Sequence, residues 1–363
     1  MLYKEYGKTG KKVSVISAGG MRHADPENLE NSTETLLRAY ENGINYFDTA
    51  PTYCDDLSEK ILGHATKQMK PGSFYLSTKS MKENGGELRE QLETSLERLG
   101  VDRIDFFHIW CLLSPETWER RKKGGAIEAA LKAKEEGLIE HLAFSTHMTH
   151  AYANDVIDEG IFDGVLLGYC PINFPLRQQV VDHAHAKGLG VITMNPLGGG
   201  IIPQNAARFD FIRGERDPDV VSAALRFNIS QPGITSALVG FRNASDVDSA
   251  CAALTHFEPY DDEHINRLKN HIEHEFAGLC TGCGYCMPCP AGIDIPRMMD
   301  AYNQKILQGT EDAIANRLKW HWGMRPAEAS ACIECGQCEK ACTQHLPIIE
   351  RLEQIAKLPE CKE

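Results

Sequence analysis

The sequence predicts an α/β fold: a (β/α)8 TIM barrel followed by a small, mainly helical domain. Between residue 13 and about residue 254, eight short runs of β-branched or aromatic residues alternate with longer amphipathic stretches. Eight strands that are each followed by a helix-length crossover imply a parallel sheet, and eight is the number that closes a barrel. From Cys280 the sequence becomes rich in cysteine, which marks a second domain. We therefore expect a barrel at residues 1–255, a linker helix at 256–278 and a cysteine-rich domain at 279–363.

The eight predicted strands share a short length, apolar content and flanking turn residues. They are Val13–Ser17, Ile44–Asp48, Phe74–Thr78, Ile104–His108, Ile139–Ser145, Gly164–Leu167, Val191–Met194 and Ser236–Gly240. Glu87–Leu99 and Gly125–Glu136 are examples of the helical patterns between them. The alternative is a doubly wound open sheet, which would be expected to carry a glycine-rich dinucleotide fingerprint after its first strand. Ser17–Met21 does not supply that fingerprint, and Gly198–Gly200 is too short for it and is read as a tight loop.

The composition is that of a soluble globular protein, with 42% hydrophobic and 25% charged residues. A net charge of −13 argues against nucleic acid as the main partner, because phosphate backbones select basic surfaces. The sequence contains no apolar run of about 18 residues, so no transmembrane helix and no membrane partner are expected. The N-terminal residues also lack the apolar stretch of a signal peptide. The expected compartment is the cytoplasm.

Eight of the 13 cysteines lie between residues 280 and 342. They form two runs, Cys-x2-Cys-x2-Cys-x2-Cys-Pro and Cys-x2-Cys-x2-Cys-x3-Cys. Clustered thiols in a protein without a signal peptide indicate metal ligands rather than a disulfide scaffold. The candidate metal ligands are Cys280, Cys283, Cys286, Cys289, Cys332, Cys335, Cys338 and Cys342.

The spacing of these cysteines favours iron–sulfur clusters over zinc. Three thiolates at an even spacing wrap a loop around one cubane, and the fourth ligand typically comes from the last cysteine of the other run. Under this pairing Cys342 completes the cluster of the first run, and Cys289 completes the cluster of the second run. The alternative is two structural zinc sites with four thiolates each. Zinc sites usually pair two Cys-x2-Cys knuckles, however, and have no use for a third cysteine at the same spacing.

The cysteine-rich segment resembles ferredoxins that carry two 4Fe–4S clusters. It departs from them in two places: only two residues precede Cys289 where three are usual, and Thr343 follows Cys342 in place of proline. A long helical pattern, Met298–Leu318, separates the two runs. Together these features favour a mainly helical ferredoxin-like domain over the compact βαββαβ form.

Four polar residues lie at or just after the carboxyl ends of consecutive predicted strands in the barrel: Asp48, Tyr53, Lys79 and His108. In a barrel this is the face on which active sites are built. Each has a structural alternative when taken singly, as a cap, a loop anchor, a solvated lysine or a core histidine. The charge of Lys79, which follows a predicted strand, would lie at the carboxyl end of the barrel and would need a counter-charge there, however. Asp48 is the obvious candidate. We therefore interpret the four as one catalytic set.

The chemistry that such a set supports is carbonyl reduction. Hydride delivery to a carbonyl builds negative charge on oxygen, which must be protonated as it forms. A tyrosine with a pKa of about 10 is a reluctant acid near neutral pH, and a nearby ammonium lowers that pKa. The predicted roles are Tyr53 as general acid, Lys79 as the group that tunes it, and Asp48 as the counter-ion. His108 would orient the carbonyl and donate a hydrogen bond to the developing oxyanion.

Three segments, Phe47–Tyr53, Ser77–Lys79 and Asp105–His108, resemble the catalytic blocks of the aldo-keto reductases. The start of the chain, Tyr6–Gly10 running into Val13–Met21, is similar to the N-terminal hairpin and first strand of that family. The resemblance covers residues 1 to about 255 and implies a barrel that binds NADP or NAD in extended form without a Rossmann domain. Barrel and cysteine-rich domain together resemble the 4Fe–4S-containing subgroup of bacterial and archaeal aldo-keto reductases.

The resemblance also implies a set of cofactor contacts. Ser145 would bind the nicotinamide carboxamide, and Met194 would pack against the nicotinamide where the family usually has an aromatic residue. Gly240, Arg242 and Asn243 would bind the phosphates at a helix N-terminus. Thr146 and Leu166 replace the expected asparagine and glutamine. Asp246 would either repel a 2′-phosphate or act as a favourable acid in the first turn of a helix, so the choice between NADP and NAD stays open.

The leading hypothesis is an NAD(P)H-dependent oxidoreductase that reduces an aldehyde or ketone, or catalyses the reverse alcohol oxidation. The clusters would be structural or would relay electrons from a ferredoxin-like partner. The alternative is a cofactor-sensing or electron-transfer subunit with little turnover of its own. Specificity would come from the loops Trp110–Gly125 and Gly198–Arg216, with Trp110 and Trp118 as either pocket-lining or loop-packing aromatics.

Overall fold

The computed structural model describes residues 1–148, 150–275, 278–280 and 282–359. The strands are β1 (Tyr3–Glu5), β2 (Lys12–Ser14), β3 (Ile16–Gly19), β4 (Tyr46–Asp48), β5 (Tyr75–Ser80), β6 (Ile104–Leu112), β7 (Ile139–Thr146), β8 (Gly164–Gly168), β9 (Gly190–Met194) and β10 (Ser236–Gly240). The helices are α1 (Leu29–Glu41), α2 (Ser58–Thr66), α3 (Gly85–Leu99), α4 (Pro115–Lys123), α5 (Ala126–Glu135), α6 (His150–Asp158), α7 (Phe174–Lys187), α8 (Ile201–Gln204), α9 (Val220–Ser230), α10 (Ala244–Ala252), α11 (Asp262–Glu275), α12 (Ile295–Gln308), α13 (Asp312–Arg317), α14 (Gln337–Ala341) and α15 (Ile348–Ala356).

The strands β3 to β10 form a closed parallel barrel in which each strand pairs with the next one along the chain and β10 returns to pair with β3. This confirms the predicted fold class and excludes the open doubly wound sheet. Because all eight strands run the same way, their carboxyl ends meet on one face of the barrel. None of the helices among the described residues combines the length and the apolar character needed to cross a bilayer.

The helix α3 shows how the barrel's outer elements arise from local sequence. The Asn84 side chain accepts hydrogen bonds from the amides of Gly86 and Glu87, which satisfies two donors at the start of the helix. The helix ends at Gly100, whose left-handed backbone closes the last turn. Four leucines three or four residues apart are buried on one face, and they pack the helix onto the barrel: Leu88, Leu92, Leu96 and Leu99.

The first barrel strand begins later than predicted. The expected strand Val13–Ser17 is split by a bend at Val15, so that Val13 and Ser14 belong to the hairpin β1–β2 and the barrel strand starts at Ile16. The Ser14 amide donates to the Asn45 side chain, and the Ser14 hydroxyl donates to the Ile16 carbonyl. These bonds hold the bend, because they replace the ladder bonds that a continuous strand would make.

The amino end of the barrel is closed by the side chain of Tyr6, which lies in the loop between β1 and β2 and is fully buried. Its ring centroid lies 4.4 Å from that of Phe106 inside the barrel. Gly164 and Gly190 open β8 and β9, and a Cβ on either of them would overlap the Tyr6 ring. The two glycines are therefore required for Tyr6 to enter, since any larger residue would occupy the same space.

Two compact units make up the described chain. The first contains Met1–Leu197 and Ile212–Asp262, and the second contains Gly198–Phe211 and the residues from Glu263 onward. The second unit is therefore not one continuous segment, because the turn after β9 is part of it. Gly198, Gly199 and Gly200 in that turn all have positive φ, which L side chains rarely adopt. The domain limits given by the sequence remain predictions.

The core of the second unit is built on α12 and α15. Met298, Leu318 and Leu352 are fully buried in it. The Arg351 guanidinium donates to the Gly278 carbonyl at 2.7 Å and lies over the Tyr302 ring at 4.6 Å from its centroid. This packing ties the start of the cysteine-rich segment to the last helix.

Candidate active site

At the carboxyl ends of β4 and β5 lies a buried ion pair between Lys79 and Asp48. The two side chains are 1% and 2% exposed, and Lys79 Nζ lies 2.7 Å from both carboxylate oxygens of Asp48. The same nitrogen donates to the Thr49 carbonyl at 2.7 Å. All three ammonium protons are thus engaged by acceptors on β4 and the residue after it. A buried charge with this many partners is fixed in place.

The carboxylate of Asp48 is also held from a second direction. The Ser77 hydroxyl donates to Asp48 Oδ1 at 2.8 Å. Burial lowers the pKa of Lys79, and the negative charges of Asp48 and Glu59 oppose this effect. Ser77 is not among the residues predicted from the sequence, although a usable signal is present: Ser77 precedes Lys79 by two residues, and such residues point to the same face of a strand.

Tyr53 lies beside this ion pair. Its ring centroid is 5.2 Å from Lys79 Nζ, and its ring meets that of Trp110 edge-on at 5.5 Å between centroids. Within the described chain the Tyr53 hydroxyl makes no hydrogen bond. The structure therefore brings the phenol and the ammonium together, but through the ring face of the tyrosine.

The electrostatic effect on Tyr53 differs from the one predicted. Burial raises the pKa of Tyr53, and the negative charge of Asp48 and the nearby Cys111 raise it further. The charge that lowers the pKa of Tyr53 is that of Arg22, in the loop after β3. The Lys79 ammonium, which the sequence predicts to lower this pKa, is paired with Asp48 and gives its protons to Asp48 and Thr49.

His108 lies next to Lys79 in the sheet, since the two residues are register partners on β6 and β5. It is fully buried, and its Nε2 lies 3.3 Å from the Tyr46 hydroxyl. Burial lowers the pKa of His108 to about 3, the charge of Lys79 lowers it too, and the Phe144 carbonyl acts in the opposite direction. The imidazole is therefore neutral at physiological pH.

The two tryptophans of the predicted specificity loop have different surroundings. Trp110 touches the site through Tyr53, and its ring centroid lies 6.0 Å from Lys79 Nζ. Trp118 is buried against Phe162, at 5.9 Å between ring centroids, and its indole nitrogen donates to Glu159. Trp110 is thus part of the site, and Trp118 is a packing residue.

Ser145 and Met194 lie at the ends of β7 and β9. The buried Ser145 hydroxyl accepts a hydrogen bond from the Cys111 amide at 2.8 Å, at an irregularity where Cys111 has a φ of 65°. A hydroxyl that accepts one bond still has its proton to donate to a carboxamide. Met194 is partly buried against the apolar side chains inside the barrel.

The strand end Gly240 and the start of α10 form the predicted phosphate site. Asn243 caps the helix by accepting from the Asp246 amide, and the Asp246 carboxylate accepts from the Arg242 amide at 3.0 Å. Asp246 is therefore a capping acid in the first helical turn, one of the two interpretations left open by the sequence. The Arg242 guanidinium is exposed and has no ion pair within the described chain.

Arg22 is a further residue that the sequence analysis missed. A Cβ built on Gly240 would lie 2.6 Å from Arg22 Cγ, so the arginine stem crosses the strand end that is predicted to hold the cofactor. Its loop is joined to that of Tyr53, because Cys54 Sγ lies 3.4 Å from the Gly20 carbonyl. No local pattern distinguishes Arg22 from a solvated arginine, since its position depends on contacts between distant loops.

The cysteines of the second unit surround two cavities. The cysteines that line each cavity are those that the predicted pairing puts together, except that Cys286 lines both cavities. One cavity is lined by Cys280, Cys283, Cys286 and Cys342, and the other by Cys286, Cys289, Cys332, Cys335 and Cys338.

Backbone conformation and hydrogen bonds shape the cysteine loops. Gly282 and Gly336 have left-handed backbones, which let the chain turn around a cavity. The amides of Gly282 and Leu346 lie 3.4 Å from the sulfurs of Cys280 and Cys342. Amide donors to sulfur are typical of iron–sulfur sites, where they tune the reduction potential.

The donor set fits a cluster better than a single ion. Among the described residues, no three histidine, cysteine or carboxylate side chains converge as one bound metal ion would require. Sulfurs spread around a cavity suit a larger group with several irons. Burial raises the pKa of both Cys280 and Cys286 to about 12, so these thiols would release protons on binding iron.

Comparison with protein families gives two matches along the chain. The model of the Aldo/keto reductase family matches residues 15–273, and the model of the 4Fe-4S dicluster domain matches residues 279–347. The first match contains the barrel site, and the second contains all eight clustered cysteines.

Comparison with individual proteins agrees with the family match. L-galactose dehydrogenase from Arabidopsis thaliana is 27% identical over 302 residues, which cover 74% of this chain and 93% of that protein. NADH-specific methylglyoxal reductase from Escherichia coli is 25% identical, over 50% of this chain and 60% of that protein. The holo form of an aldo-keto reductase from Bacillus halodurans superposes with a TM-score of 0.64 at 18% identity, over 74% of this chain and 96% of that one. The chain therefore belongs to the aldo/keto reductase family of oxidoreductases and carries a 4Fe-4S dicluster domain after its barrel.

Proposed function

We propose that the protein reduces a small aldehyde or ketone with NADPH or NADH, or oxidises the corresponding alcohol, at the site formed by Asp48, Tyr53, Lys79 and His108. The observation that carries this proposal is the buried Lys79–Asp48 pair in contact with the ring of Tyr53. Burying two charges costs free energy, and three aligned donors from one ammonium make that burial possible. Such an arrangement is typical of a functional site.

In this proposal Tyr53 donates the proton. Its raised pKa keeps the phenol protonated across the neutral range, so it holds a proton for the carbonyl oxygen. When bound, NADPH or NADH supplies a hydride to the carbonyl carbon, and the proton from Tyr53 completes the alcohol. The absence of a hydrogen bond to the Tyr53 hydroxyl among the described residues leaves that group available to substrate.

His108 is proposed to orient the carbonyl. It is neutral, so it can contact the carbonyl oxygen without adding a charge to the barrel interior. Its contact with the Tyr46 hydroxyl is long, at 3.3 Å, and a substrate oxygen with better geometry can replace it. Ser145 and the strand end at Gly240 are proposed to hold the two ends of the cofactor, and Arg242 and Asn243 its phosphates.

The second unit is proposed to hold two 4Fe–4S clusters, with Cys342 and Cys289 as the exchanged fourth ligands. The grouping of the cysteines around two cavities supports this pairing. The clusters are either structural or relay electrons from a ferredoxin-like partner. Anaerobic titration with NADPH, followed by electron paramagnetic resonance, separates the two: structural clusters keep their redox state during turnover, and relay clusters change it.

The proposed activity is tested by comparing Tyr53→Phe with the wild type. Steady-state rates with NADPH and with NADH are measured against a panel of aldehydes and ketones. Loss of general acid catalysis should lower kcat by about 10²- to 10⁴-fold. Tyr75→Phe is the matched control, because Tyr75 lies at the start of β5, at the other end of the strand from Lys79. This variant should retain wild-type rates. Equal rates in wild type and Tyr53→Phe would remove Tyr53 from the mechanism.

A further inference from the structure

Arg121, on the inner face of α4, is a buried cation whose charge has no close partner. The residue is 4% exposed. Its Nη2 donates to the Trp110 carbonyl at a long 3.4 Å. Its Nε and Nη1 make no hydrogen bond to any described residue. Burying a guanidinium in this state is costly unless a partner is supplied.

Among the described residues, the carboxylate that forms an ion pair with Arg121 is that of Glu83, which binds a second arginine more closely. Glu83 Oε1 lies 4.0 Å from Arg121 Nη1, beyond hydrogen-bond distance, but only 2.8 Å from Arg120 Nε. Glu83 is also 43% exposed, so water weakens its effect on the buried arginine. Glu83 therefore faces both Arg120 and Arg121, and its single negative charge cannot neutralise both guanidiniums.

Arg121 adjoins the proposed reaction centre. Its acceptor Trp110 packs edge-on against the Tyr53 ring. Cys111, the next residue along β6, lies close enough to Tyr53 and to Arg121 to act on the charge of both. A substrate with its carbonyl at Tyr53 would thus have Arg121 as a neighbouring cation.

The position of Arg121 in the barrel separates it from the cofactor phosphates. The proposed phosphate site lies at the end of β10, and Arg121 follows β6. In the closed order β10-β3-β4-β5-β6-β7-β8-β9 these two strands are four places apart in either direction. In an eight-stranded barrel they therefore lie on opposite walls.

We propose that Arg121 binds an anionic group of the substrate, and that the substrate class is therefore a carbonyl compound bearing a carboxylate. This inference rests on the proposed carbonyl reductase function and adds the charge of its substrate. The carboxylate accepts hydrogen bonds from the guanidinium nitrogens that have no partner within the described chain, and it supplies the counter-charge that Glu83 does not. The loop Trp110–Gly125, expected from the sequence to set specificity, would do so through this residue.

The test compares two aldehydes that differ in charge and little in shape, 4-carboxybenzaldehyde and 4-nitrobenzaldehyde. The full-length wild-type protein should have the higher kcat/KM for the carboxylate. Arg121→Met should raise KM for 4-carboxybenzaldehyde about 10- to 100-fold, because a charge-assisted hydrogen bond to a buried group is lost. The KM for 4-nitrobenzaldehyde and for NADPH should stay unchanged. Lys123→Met removes an exposed charge from the same helix and should alter neither aldehyde.

Equal KM changes for both aldehydes in Arg121→Met, or a wild type with no preference for the carboxylate, would overturn the inference. The wild-type comparison decides the question even where the variant is unstable, which thermal unfolding would report. A raised KM for NADPH would assign Arg121 to the cofactor instead. Absence of turnover with both aldehydes would count against the reductase function. In that case calorimetric titration with terephthalate decides on Arg121 alone: equal binding to wild type and Arg121→Met contradicts the inference, and weaker binding to the variant supports it.

Discussion

The barrel site and the cysteine-rich unit are organised in opposite ways. At the barrel site, the buried ion pair is satisfied within the protein: Lys79 gives its three protons to Asp48 and Thr49, and the Ser77 hydroxyl donates to the carboxylate. In the second unit, the eight clustered cysteines line two cavities. The ion pair of the barrel site is therefore held by protein groups alone, whereas the cysteines of the second unit belong to a domain of the 4Fe-4S dicluster type, whose ligands hold a group that the chain does not supply.

Because the second unit is organised around its cysteines, loss of one cluster ligand should have the largest effect on stability and composition of any single substitution. Cys335→Ala removes a ligand from one cavity, so iron should fall from about eight to about four atoms per chain. The melting temperature of the second unit should fall with it, because bound metal contributes directly to folding. Cys251→Ala, in α10, is the control and should leave the iron content unchanged. Iron analysis and calorimetry measure both effects, and full iron occupancy in Cys335→Ala would contradict the assignment.

Breaking the barrel's ion pair should cost less but still strongly destabilise the first unit. Asp48→Asn leaves the Lys79 ammonium buried without its counter-charge, and such changes cost about 3–5 kcal/mol in the free energy of unfolding. Chemical denaturation followed by circular dichroism measures this. Asp55→Asn is the control, since Asp55 is exposed in the same loop region and its left-handed backbone suits asparagine. Similar free energies of unfolding for Asp48→Asn and Asp55→Asn would contradict the predicted cost of leaving the buried Lys79 ammonium without its counter-charge.

Acid should destabilise the barrel through its buried histidines. The folded-state pKa of His108 is about 3, below the value of about 6.5 in the unfolded chain. Between these two pKa values the unfolded state binds a proton at His108 and the folded state does not. The free energy of unfolding therefore falls as the pH drops from about 6.5 towards 3. Between pH 7 and pH 5 the loss from His108 is about 2 kcal/mol. In His108→Gln the difference in unfolding free energy between these two pH values should shrink by that amount, whereas the exposed His64→Gln should behave as wild type.

Loss of the Ser77 hydroxyl should have a smaller effect than loss of the ion pair. Ser77→Ala removes one hydrogen bond to Asp48 and should cost about 1–3 kcal/mol in stability, because the carboxylate is charged and buried. In the Asp48→Asn background the same substitution should cost less, since its charged acceptor is gone. A double-mutant cycle measures this coupling. Additive costs would mean that Ser77 acts on stability through packing alone.

The fold and much of the candidate site could be predicted from the sequence because both depend on local order along the chain. Strand runs, turn residues and the spacing of cysteines are local patterns, and the barrel and the dicluster domain followed from them. Asp48 and Lys79 could be paired because neighbouring strands end on one face. The direction of the Tyr53 pKa shift could not be predicted, because burial and the exact acceptors of Lys79 depend on distant contacts.

The positions of Arg121 and Arg22 could not be predicted from the sequence either, because both depend on long-range contacts. One lies in a run of four basic residues at the end of α4, and the sequence does not show which of the four is buried. The other is placed by contact with Gly240, more than 200 residues away. The separation of Gly198–Phe211 from the rest of the barrel unit is also a long-range effect, since it depends on packing with residues beyond Glu263.

The closure of the barrel's amino end by Tyr6 has a consequence for how the protein is made. Tyr6 is synthesised well before the glycines it packs against, because Gly164 and Gly190 lie more than 150 residues further along the chain. The hairpin that carries it cannot dock until the chain has been synthesised past Gly190. A nascent chain stalled before residue 190 would therefore display an unburied aromatic side chain, because closing the barrel's amino end joins two segments that are synthesised far apart in time.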